Sequence, residues 1–105
     1  LLFYSNVNLK GIQDFVLSSS PALLMIANTK SCDTACTQVI ACWSSFAIEI
    51  TPFVSLGMSR GYDWLDFSQV QQRVFRAMLT FFMTGCENFF VDAEEVKHLL
   101  TCFRD

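Results

Sequence analysis

The second half of the chain carries its own helix punctuation, and this limits the folds open to it more than any other feature. Asp66 or Ser68 is placed to cap a helix running through Val70, Val74, Ala77, Met78 and Phe81, and Gly85 stands where such a helix would stop. Asp92-Ala93-Glu94-Glu95 then has the form of a capping box, with its carboxylates at the positive end of a second helix dipole. Between the two, the short apolar run Phe89-Phe90-Val91 reads as a strand. The stretch from Tyr62 to Phe103 is thus well patterned for packing. It holds no paired carboxylates on one face, no metal-ligand cluster and no glycine-rich phosphate loop. A segment of this kind is expected to bind another protein.

The first half reads as an alternation of strands and helices. Leu1-Leu2-Phe3-Tyr4 is a short apolar run, and Asn8 can cap a helix through Leu9, Ile12, Phe15 and Val16. Gly11 weakens that helix, and a hairpin is the alternative there. Ser18-Ser19-Ser20-Pro21 breaks the chain, after which Ala22 to Ala27 is apolar on both faces, as a central buried strand is. Asp33 or Thr34 can cap a helix whose apolar positions include Cys36, Val39, Ile40, Trp43, Phe46 and Ala47. Thr51-Pro52 ends it, Phe53-Val54-Ser55-Leu56 is expected to be a strand, and Gly57 to Asp66 a loop. The order predicts an α/β fold, with helices layered on a mostly parallel central sheet, in one domain spanning residues 1–105.

Composition sharpens the expectation of a partner. Hydrophobic residues make up 52% of the chain and charged residues 16%, against about 25% charged in an ordinary soluble domain. Eleven phenylalanines in 105 residues suggest more apolar surface than one small core covers. The net charge of −3 lacks the basic footprint of a nucleic-acid binder. The longest apolar stretches, around residues 21–27 and 77–83, are far shorter than the roughly 20 residues of a membrane span. The first residues have no basic leader. Five cysteines, an odd number without scaffold spacing, point to a reducing compartment, cytosol or nucleus.

Cys32-Asp33-Thr34-Ala35-Cys36 is the sharpest candidate for chemistry. A thiol between an apolar strand and a helix start would be stabilised as thiolate by backbone N–H groups. The same context occurs in thioredoxin-fold thiol and copper-handling proteins, which makes a redox or copper protein using Cys32 and Cys36 the alternative function. The redox motif itself has two intervening residues, whereas this pair has three. The plainer and preferred reading is two ordinary cysteines at i and i+4 on one helix face. Cys86, His98 and Cys102 lack the paired spacing of a zinc site, and no Gly-x-Ser-x-Gly turn is present. No catalytic residue, metal site or cofactor is therefore expected. Gln69, Gln72, Arg73, Arg76 and Thr80 form a polar stripe read as a solvated face. The apolar arc opposite is wider than covering a sheet requires.

Several short stretches taken together resemble a known group. They are Ala22-Leu23-Leu24-Met25 with Asn28-Thr29-Lys30, Pro52-Phe53-Val54, Asp63-Trp64, Val70-Gln71-Gln72-Arg73-Val74-Phe75, Phe89-Phe90-Val91 and Val96 to Leu100. Their succession is similar to that in the Parting Dancers group of small meiotic crossover proteins, which belongs to the XPF-nuclease superfamily. The resemblance spans nearly the whole chain, and Gln71-Gln72-Arg73 is its most specific piece. It implies an XPF-nuclease-like α/β domain whose nuclease motifs are gone; Gly61-Tyr62-Asp63 does not reproduce the Gly-Asp pair of active members. It also implies a helix-hairpin-helix pair after this domain. The sequence ends at Asp105 without one, so DNA binding by this stretch alone is expected to be weak or absent.

The function so implied is a non-catalytic scaffold in the nucleus, on meiotic chromosomes. It would pair with a Shortage-in-chiasmata-type XPF-like protein, engage branched DNA through the complex and support crossover formation. Val74, Met78, Phe81, Phe82, Leu99, Leu100 and Phe103 are the residues expected at that partner interface, with homodimerisation through the same surface as an alternative.

Overall fold

The computed structural model describes residues 9–32, 37–55, 67–89 and 91–104, and these form helices. They are α1 (Leu9–Ser18), α2 (Ser20–Thr29), α3 (Thr37–Ser55), α4 (Gln69–Met83) and α5 (Ala93–Leu100), the last running into a 3-10 turn at Thr101–Phe103. No strand occurs among the described residues, so the expected α/β fold with a parallel sheet is replaced by an all-α one. With the sheet goes the XPF-like layering that the resemblance implied.

The correction has local causes. Residues 22–27, read as a buried strand, lie inside α2. A short apolar run is ambiguous between buried strand and buried helix, and composition has to decide. Here Ala22, Leu23, Leu24, Met25 and Ala27 are good helix formers and Ile26 is the one β-branched residue among them. Pro21 sits in the first turn of α2, where its fixed φ favours the helix and its missing N–H costs nothing. Pro52 does not stop α3 but lies inside it, as do Phe53 to Ser55 of the other expected strand. Its cost is the N–H that would serve the Ile48 carbonyl, a loss that water can offset because both residues are exposed. Phe89 and Val91 belong to no strand, Phe90 lies outside the described residues, and Cys86 and Asn88 before them are left-handed at φ 68° and 57°. The expected strand at residues 1–4, the caps Asn8, Asp33 and Thr34, and the loop at residues 57–66 lie outside the described residues.

The punctuation of the second half is seen as read. Ser68 caps α4, with Gln71 N–H donating to its Oγ at 3.2 Å and Gln71 Oε1 accepting from the Ser68 N–H at 2.8 Å. Gly85 follows the helix at φ 77°, and the Cys86 N–H reaches back to the Phe81 carbonyl at 2.8 Å in a Schellman closure. Asp92 caps α5 by accepting from the Glu95 N–H at 2.9 Å, and Glu95 returns the contact at 3.3 Å.

The helices close into a ring in the order α1, α2, α5, α4, α3. Phe15 on α1 completes it by meeting Trp43 and Phe46 on α3, at ring-centroid distances of 5.2 and 5.4 Å. Inside the ring runs one connected aromatic network. Trp43 stacks on Phe82 at 5.2 Å, and Phe81 meets Phe89 edge-on at 4.6 Å. Phe67, Phe75 and Phe103 form a triangle with sides of 5.4 to 5.9 Å. Such pairs contribute about 0.5–1.5 kcal/mol each beyond burial. Two polar groups serve this core. The Trp43 indole N–H donates to Ser19 Oγ at 2.9 Å, and that hydroxyl donates to the Val16 carbonyl at 2.9 Å. Gln71 donates from Nε2 to the His98 carbonyl at 3.3 Å, fastening α4 to α5.

Candidate interaction surface

The seven residues expected at a partner interface all face inward. Val74, Met78, Phe81 and Phe82 on α4, with Leu99, Leu100 and Phe103 at the chain's end, are each no more than 2% exposed. The wide apolar arc of α4 has a simple cause: α4 lies between α3 and α5 in the ring and must cover both. The eight phenylalanines whose side chains are described are taken up in the same way. Phe67, Phe75, Phe81, Phe82, Phe89 and Phe103 are buried, while Phe15 and Phe46 are half-buried against the core. A partner reaches the seven residues only if the domain opens.

The polar stripe of α4 is solvated except at the half-buried Gln72, and Gln71 beside it is buried. Gln69, Arg73, Arg76 and Thr80 are exposed, and Arg73 pairs with Glu95 of α5. Val70, placed on the apolar face by its spacing, is instead 48% exposed. Lys97 pairs with Glu94 at 3.2 Å. His98 is exposed, and its carbonyl accepts from Gln71 and from the Thr101 hydroxyl.

The places where chemistry was sought are modest. Cys32 is half-buried just beyond α2, so the residue preceding it in space is a helix end and not the strand of a thioredoxin-like site. Cys36 lies outside the described residues. Among the described residues no three His, Cys, Asp or Glu side chains are grouped to hold a metal ion. A depression of about 270 Å³ is lined by Ala77, Thr80, Thr84, Glu87 and Asn88. Among the described residues Glu87 is its one ionisable group, and a carboxylate by itself in an open hollow offers neither a proton relay nor a nucleophile with a base.

What stands out is the outer face of α3. Its nineteen residues include a single charge, Glu49, and α2 has none. Helices on the rim of a small domain ordinarily turn charged residues to water. Ala41, Ser45, Ile48 and Pro52 recur at helical spacing along the exposed side, and Ile48 is 62% exposed. At 100° per residue Ile48 lies about 140° round the helix from the buried Trp43, well off the core stripe. The patch continues onto α4, where the Thr51 hydroxyl donates to the Met83 sulfur at 3.1 Å and Met83 is 45% exposed. Glu49 borders the patch, while Arg73 of α4 pairs with Glu95 of α5 and Lys97 pairs with Glu94 within α5. Ile48 is out of phase with the apolar stripe of its helix, so the helical period does not mark it in the sequence. Its out-of-phase position beside a near-absence of charge was the available signal.

No family model, curated protein or solved structure matches this chain. No described helix is long and apolar enough to cross a membrane. What is established is a class: five helices among the described residues, arranged in a ring around an aromatic core.

Proposed function

We propose that the chain is a non-catalytic protein-interaction domain that meets its partner through the outer face of α3. The observation carrying this reading is Ile48, a large aliphatic side chain 62% exposed on a nineteen-residue helix with one charge. Exposed single hydrophobes are common, but here Ala41, Ser45 and Pro52 at helical spacing are small or uncharged, Glu49 is the one charge at the border, and Met83 extends the patch across a helix boundary. A surface of this kind favours a partner that brings apolar side chains and a few hydrogen-bond donors, one of which can serve the Ile48 carbonyl left without a helical donor by Pro52.

The narrower reading is a meiotic scaffold that pairs with a Shortage-in-chiasmata-type protein. Without a sheet, what supports it is the short Val70 to Phe75 stretch, and its partner would use α3 rather than the buried arc of α4. Photo-crosslinking separates the possibilities. A benzoylphenylalanine placed at position 48, in cells that express the protein, is expected to give one dominant protein adduct. The same group at position 97, on the exposed charged side of α5, is expected to give none. Ile48→Asp should then weaken the identified complex at least tenfold while leaving the helical signal and melting temperature of the isolated chain unchanged. The same spread of adducts from both positions would sink the α3 surface. An adduct with any other protein would sink the meiotic partner alone.

A further inference from the structure

We draw no further inference here: the strongest candidate, the nearly uncharged outer face of α3 around Ile48 and Met83, is the surface already described, and nothing in the structure shows what covers it.

Discussion

Ser19 separates the helical fold from a layered one sharply, because the two put it in opposite surroundings. If the chain broke at Ser18-Ser19-Ser20-Pro21 before a strand, Ser19 would sit in a solvated loop. Ser19→Ala would then change stability by no more than about 0.5 kcal/mol. In the helical fold Ser19 is the turn between α1 and α2 and is 6% exposed. Its hydroxyl accepts from the indole of Trp43, itself 0% exposed, across 24 residues of sequence. Removing that oxygen strands a buried N–H, which costs about 1–3 kcal/mol. A loss of about 2 kcal/mol is expected, equivalent to a fall in melting temperature of about 10 °C for a domain of this size. Urea unfolding followed by far-UV circular dichroism measures it, with the slope against denaturant unchanged. A double-mutant cycle with Trp43→Phe, which keeps a ring but removes the donor, should return a coupling of about 1 kcal/mol. A neutral Ser19→Ala, or two substitutions whose effects simply add, would refute the packing of α1 against α3.

Three further substitutions test other parts of the ring. Phe103→Ala removes a 1%-exposed ring that touches Phe67 and Phe75, and should destabilise the isolated chain by about 3–5 kcal/mol in urea; an unchanged midpoint would return Phe103 to the surface. Gly85→Ala meets no atom within 4 Å, so its cost is the left-handed backbone alone, about 1 kcal/mol, and Gly85→Asn should recover part of it. Lys30→Met breaks a 2.6 Å hydrogen bond from Nζ to the Val91 carbonyl and a cation held 5.8 Å from the Phe89 ring. A loss of about 1 kcal/mol, measured by thermal melting, is expected for these partly exposed contacts, and no loss would place the segment before α5 away from the end of α2.

The helix ends of the second half were legible because caps are local chemistry. Ser68 with Gln71, Asp92 with Glu95, and Gly85 each act within a few residues, so distant packing need not be known to read them. The strands were misread where a decision rested on apolarity alone. Around residues 22–27 the pattern is silent on period, and the informative facts are the residue types and the position of Pro21. At Pro52 the general rule that proline ends helices misleads, because an exposed position lets water take the freed carbonyl. After Gly85 the backbone is left-handed at both Cys86 and Asn88, which does not suit a ladder; Asn88 is a residue type that favours this conformation, whereas Cys86 gives no sign of it in sequence.

The candidate surface was missed for a different reason, which bears on reading helical proteins in general. Hydrophobicity ranks residues by how strongly they leave water, and in a single-core domain most of that demand is met from within. A wide apolar arc therefore counts a helix's own neighbours before it counts partners. The arc of α4 has two neighbours, α3 and α5, and Val74, Met78, Phe81 and Phe82 are spent on them. The informative quantity for a surface is what an outward face lacks. On α5 the outward positions are charged and paired, as solvation alone would favour, and an apolar change there would expose new surface for no gain. On α3 the nineteen residues hold one carboxylate, and Ile48, the one exposed large hydrophobic side chain among its described residues, remains in water although a polar residue would fit without disturbing Trp43, Ala47 or Ile50. An exposed isoleucine with no core role adds nothing to the isolated fold. On the proposed reading its free energy is recovered by burial against a second molecule, and the test for a partner therefore starts at α3 rather than at the aromatic helices, whose apolar side chains are already buried.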